Sequence, residues 1–117
     1  MEIFMYRMDV FAGPPVDVTG FDVEATDGHI GKVDEATYDN GRGWLVVDTG
    51  FWIFGKKRML PAGVVRDVDP DERKLYISIA KDDVKQAPDY DPDRFNEDQS
   101  RYEDEVGQYY TPYQRTG

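Results

Sequence analysis

Few side chains in this chain could do covalent or metal chemistry, and the first is its single histidine, His29, in the stretch ATDGHIGKVDEATYD at residues 25–39. There is no second histidine and no cysteine to complete a typical metal set, and no serine lies near it in sequence. The preceding TDG has the form of a hairpin turn in which Gly28 supplies a positive φ, so His29 is read as an exposed or half-exposed residue at the start of the next strand. A second candidate is the acidic run Asp67, Asp69, Asp71 and Glu72, whose spacing suggests a calcium loop. It fails the EF-hand pattern, because Glu72 stands where the loop needs glycine and Ser78 where it needs a bidentate glutamate. A hairpin turn explains it better. With no cysteine nucleophile, phosphate loop or metal-ligand spacing, the sequence carries no catalytic constellation, and we expect no enzyme, no cofactor and no metal.

What remains are candidate contact residues. Phe51, Trp52 and Phe54 follow DTG on a short segment whose alternating side chains cannot all enter one small core. Beside them, Lys56, Lys57 and Arg58 of GKKR form the one dense basic patch. Tyr102, Tyr109 and Tyr110 lie in a tail that also holds Phe95 and Val106. These nine residues, Phe51, Trp52, Phe54, Lys56, Lys57, Arg58, Tyr102, Tyr109 and Tyr110, are the expected interaction sites, together with Ile3, Phe4, Met5 and Met8 near the N-terminus.

Charge narrows the partners. The chain of 117 residues has 24 acidic and 14 basic side chains, a formal net of −10. Residues 1–87 hold 16 acids against 11 bases, and residues 88–117 hold 8 against 3, so the tail is the denser in negative charge. Such a surface repels phosphate backbones, and nucleic-acid binding is disfavoured. The opening MEIFMYRMDVF interrupts its apolar run with Glu2, Arg7 and Asp9 and lacks a basic start, unlike a signal peptide. No apolar stretch reaches the ~20 residues of a membrane span. A cytoplasmic location without membrane association is therefore expected.

The elements that must position these residues fall in three zones within one domain. Residues 1–15 are an apolar arm closed by GPP. Residues 16–87 are short apolar runs broken by TDGH, DNGRG, DTG, FGKK and DPDE, a β pattern. Residues 88–117 are an acidic, Tyr-rich helix or tail. FDVEA alternates with one wet face, GKVDEATYD alternates more loosely, and WLVVDTG is a continuous run of the kind buried on both faces. GVVRDVD and KLYISIA flank a turn that Asp69 can cap and Pro70 presets. KDDVKQAP reads as one helical turn. In the tail, Asp91 and Pro92 form a good helix start, and Phe95, Tyr102, Val106 and Tyr109 make an apolar stripe with a Glu97–Arg101 pair alongside. Five or six short antiparallel strands cannot cover their own edges as a flat sheet, so a small closed antiparallel β-barrel is the expected mainly β fold.

The segments DVTGFDVEATDGHIGKVDEA, GWLVVDTGFWIFGKKRMLP and ISIAKDDVKQAPDYDP occur in the order seen in PRC-barrel domains. The chain resembles a stand-alone bacterial PRC-barrel protein over about residues 16–92. That resemblance implies a non-catalytic interaction module, as in a ribosome-maturation factor and in the cytoplasmic part of a photosynthetic reaction-centre subunit. The functional expectation is an adaptor that self-associates and binds a protein partner; the alternative is a ribosome- or RNA-associated accessory factor. A homo-oligomer, most simply a dimer with the arm or the C-terminal helix crossing between subunits, is also expected, because a barrel of about 70 residues offers little surface for both ends.

Overall fold

The computed structural model describes residues 2–11, 13–50 and 57–114. Within them, strands β1 (Asp22–Ala25), β2 (Gly28–Ala36), β3 (Trp44–Asp48), β4 (Lys57–Pro61), β5 (Val65–Asp69) and β6 (Lys74–Ile77) form one sheet in the order β4-β3-β2-β1-β6-β5. Helices α1 (Lys81–Lys85), α2 (Pro92–Glu97) and α3 (Gln99–Tyr110) follow. The expected strands are present, and the reasons hold locally. Gly28 closes the β1–β2 turn at φ +139°, a value that strains any other residue. Asp69 Oδ1 accepts from the amides of Asp71 and Glu72, capping the β5–β6 turn. Leu45, Val46 and Val47 of β3 are fully buried on both faces of the strand.

Two features differ from the expected barrel. The sheet is mixed, because β1 pairs with β6 in parallel, Val23 opposite Leu75. It is also not closed: no ladder joins the edge strands β4 and β5 among the described residues, and they connect only through the 3-10 turn Ala62–Val64. Pro61 cannot donate to a ladder at that corner. The seam is filled instead by the two ends of the chain. The arm's 3-10 turn Glu2–Phe4 packs on Ala62–Val64, and α3 packs on β4. A Cβ on Gly63 would overlap the Ile3 carbonyl, so the arm can lie this close only because Gly63 has none.

Both ends are therefore part of their own chain's core. Ile3, Phe4 and Val10 of the arm, and Tyr102, Val106 and Tyr110 of α3, are buried with the sheet residues. The tail differs from the expected single helix. Asp91 caps α2 by accepting from the amides of Asp93 and Arg94, but the chain leaves helical geometry at Asp98, whose side chain then caps α3 through the Arg101 amide. That break moves the buried stripe to Tyr102, Val106 and Tyr110, at successive i, i+4 positions, and leaves Tyr109 half-buried. Arg101 pairs forward with Glu105 at 3.8 Å, not back with Glu97.

Candidate functional site

Of the nine expected contact residues, Phe51, Trp52, Phe54 and Lys56 lie outside the described residues. The others are placed by β4 and the tail, and the two described cations of the basic patch, Lys57 and Arg58, are each paired. Lys57 is half-buried and donates to Asp34 Oδ2 at 2.6 Å, a bond that raises its pKa. Arg58 is only 2 % exposed. Its Nε donates to the Val84 carbonyl at 3.0 Å and its Nη2 to the Lys85 carbonyl at 2.9 Å, while Nη1 pairs with Asp89. Those carbonyls belong to the last turn of α1, where acceptors lack helical partners and positive charge is favoured. Arg58 is thus a clamp between the sheet edge, α1 and the start of the tail, and not a surface cation.

The tyrosines also point inward. Tyr102 donates to the Asp89 carbonyl and accepts from the Asp91 amide, and Tyr109 donates to the Asp83 carbonyl. Tyr110 is completely buried, its hydroxyl has no partner among the described residues, and burial raises its pKa. These three side chains hold the tail onto the chain. His29 is exposed on β2, with Nδ1 2.8 Å from Glu24 Oε2 on the neighbouring strand. No group of three or more metal-ligating side chains converges among the described residues.

The surface that does stand out is at the arm. The exposed large hydrophobic side chains among the described residues are Met5, Met8, Val16 and Tyr38; Val16 and Tyr38 form one corner with Tyr6 and Phe11, Met5 bridges to Arg42 beside it, and Met8 lies on the arm between Tyr6 and Phe11 in sequence. The turn Asp39–Arg42 builds the corner: Asn40 and Gly41 both take positive φ, 52° and 83°, and Asp39 and Arg42 exchange two backbone hydrogen bonds. The Tyr6 amide then donates to the Gly41 carbonyl, and its hydroxyl to the Thr37 carbonyl, both at 2.8 Å. This pins the arm so that Tyr6 stacks on Tyr38 at 5.4 Å between centroids, with Phe11 against both rings. Burial, then the neighbouring Tyr38, pushes the Tyr6 phenol up to about 12. A shallow cleft of about 290 Å³ opens between these rings, with Val16 and Asp17 on its wall.

Met5 and Met8 were legible as arm residues, whereas Ile3 and Phe4 of the same segment are buried. Tyr6 and Phe11 were legible only as members of the apolar arm and Tyr38 not at all, because the three rings meet only when residues some 30 positions apart are brought together by the Asn40–Gly41 turn.

No family model and no curated protein matches the chain. Among solved structures it is similar to a Pseudomonas aeruginosa protein described as the 16S ribosomal RNA processing protein RimM, with a TM-score of 0.46 and 17 % identity. That likeness covers 56 % of this chain and 42 % of the other, so the chain spans less than half of that protein's length.

Proposed function

We propose that this chain is a non-catalytic protein-binding module whose contact surface is the arm corner of Met5, Met8, Val16 and Tyr38. The observation that carries this reading is that the exposed large apolar side chains among the described residues all fall on the arm, its Val16 continuation or the Tyr38 ring that the arm packs against, in a chain of net charge −10. Methionine and tyrosine suit such a role: the thioether adapts its shape to a partner, and the phenol combines apolar area with a polar tip. The tail tyrosines are spent on internal packing, which leaves the arm side as the larger apolar exposure among the described residues. Self-association belongs to the same reading. In that case a second copy would meet the first at this corner.

A second reading is an accessory factor associated with ribosomes or RNA, in line with what the Pseudomonas protein is described as doing. The net charge of −10 and the burial of Arg58 oppose direct contact with RNA backbone, so such a factor would contact a protein component.

Co-purification with the tagged full chain tests both. Wild type should retain a defined protein that Met8→Glu and Tyr38→Glu lose, with nuclease treatment making no difference. Recovery of the same proteins by all three chains removes the arm corner as the contact surface, and retention that nuclease abolishes replaces the first reading with RNA association.

A further inference from the structure

We propose that the cleft between the β2–β3 pair and the start of the tail binds an organic cation, an alkylated ammonium group. The cleft is about 640 Å³, and Trp44, Tyr90 and Phe95 line it together with Glu35. Each is set by a different local cause. The register of β2 against β3 slips between Val33 and Glu35, so Asp34 is an extra residue, and the bulge leaves two consecutive carboxylates exposed where strict alternation would have turned one inward. Asp34 is taken by Lys57. Glu35 makes no hydrogen bond or ion pair among the described residues and remains beside the rings.

Trp44 begins β3 and is half-buried, its amide accepted by the Thr37 hydroxyl at 2.9 Å. Tyr90 is held by its amide, which donates to the Lys57 carbonyl at 2.9 Å. Phe95 is on α2, which Asp91 starts by capping it. Phe95 stands between the other two rings, 5.4 Å and 71° from Trp44, and 6.4 Å and 62° from Tyr90. Two rings tilted against a third, all lining one opening, can offer a cation the negative faces of the rings.

The charge around the opening has the right sign. Lys57 also lines the cleft, but Asp34, Asp48 and Glu35 all lie within electrostatic reach of its ammonium. At Tyr90, burial raises the phenol most, Glu35 adds to the rise, and the opposing effect of Lys57 is smaller. A cation without hydrogen-bond donors would exchange weak hydration for ring faces and the Glu35 carboxylate, which makes no hydrogen bond among the described residues. Two sources supply this chemistry: a small free solute, and a basic side chain on a protein partner.

NMR titration of the ¹⁵N-labelled full chain distinguishes them, read at the Trp44 indole N–H after Trp52→Phe has identified it. The probes are choline chloride, a short peptide carrying one trimethyl-lysine, and 3,3-dimethyl-1-butanol, the neutral isostere of choline, each against a sodium chloride control. Choline or the peptide should move the Trp44 and Glu35 resonances with saturation, and the neutral alcohol should bind at least about tenfold more weakly. The tighter of the two cationic probes identifies the source. Tyr90→Ala tests the ring wall but risks the packing of α2, so Glu35→Gln is the decisive variant. It removes an exposed charge that makes no hydrogen bond among the described residues, and should weaken cation binding by about two- to fivefold while leaving the spectrum otherwise intact. Equal binding of alcohol and choline, an unchanged affinity in Glu35→Gln, or no movement at tens of millimolar of either cation overturns the proposal.

Discussion

Replacing Arg58 by methionine keeps much of the side chain's length and apolar stem but removes the guanidinium that clamps β4 to α1 and the tail. Two views of that group give different magnitudes. As an ion pair with Asp89, whose side chain is 47 % exposed, it would contribute only about 0–1 kcal/mol, since the carboxylate returns to water easily. As a hydrogen-bonding clamp it contributes more. The Val84 and Lys85 carbonyls each lose a charge-assisted bond worth about 1.5–3 kcal/mol. Part of this is offset, because Val84 O keeps the Ala87 amide at 3.1 Å and the buried positive charge disappears with its desolvation cost. The net expectation for Arg58→Met is a loss of about 2–3 kcal/mol. For a domain of this size that is a fall in Tm of roughly 8–12 °C. Asp89→Asn should cost less than about 1 kcal/mol, and Arg58→Lys, which keeps the charge and loses the fork, should fall between them. Urea denaturation followed by circular dichroism measures all three. Arg58→Met within about 0.5 kcal/mol of the parent, or Asp89→Asn as damaging as Arg58→Met, would refute the clamp.

Other outcomes follow from the same geometry. Six tyrosines, Tyr6, Tyr90, Tyr102, Tyr109, Tyr110 and Tyr113, have raised pKa values, with burial the largest cause in each, and Tyr6 reaches about 12. The unfolded phenols ionise near pH 10, so this contribution to stability is complete below that pH and is lost as pH rises through the folded values. Absorbance titration of phenolate should therefore show a late, cooperative step that coincides with unfolding above about pH 11, and independent titration of all tyrosines near pH 10 would contradict it. Gly31→Ala should destabilise by about 2–3 kcal/mol or more in thermal melts, because its Cβ would overlap the backbone carbonyl of Asp48. Gly28→Ala, where only φ is strained and the space is open to the end of Lys81, should cost closer to about 1 kcal/mol. Asp98→Ala removes the cap between α2 and α3 and should cost about 1 kcal/mol, with amide exchange in α3 speeding up before that of the sheet.

Local chemistry made much of this fold legible. The TDG turn, the Asp69 cap, the doubly buried WLVVD and the Asp91–Pro92 helix start each depend on residues within a few positions of one another. What was not legible depends on distant contacts. The parallel pairing of β1 with β6 joins residues some 50 positions apart and leaves no periodic trace. The start of β4 was read as a basic patch that interrupts the strand pattern, because Lys57 and Arg58 mask its strand character, and only the carbonyls at the end of α1 explain how a buried strand position holds an arginine. The break at Asp98 is hidden in an unbroken helical pattern, since aspartate both tolerates helix flanks and caps them. The same limit applies to the sites. Methionines in the arm advertise themselves by composition, but the burial of Ile3 and Phe4 beside an exposed Met8 depends on the arm's first turn packing on Ala62–Val64. The bulge that frees Glu35 is equally invisible to alternation.

The claim that the arm corner is a protein-contact surface is tested most directly by photo-cross-linking within the organism that makes the protein, with a photoreactive amino acid placed at Met8 or Tyr38 and, as a control, at exposed Asp71 on the β5–β6 turn. Discrete protein adducts from Met8 and Tyr38, absent from Asp71, are the expected result. Adducts that are the same from all three positions, or that appear only from Asp71, would contradict it.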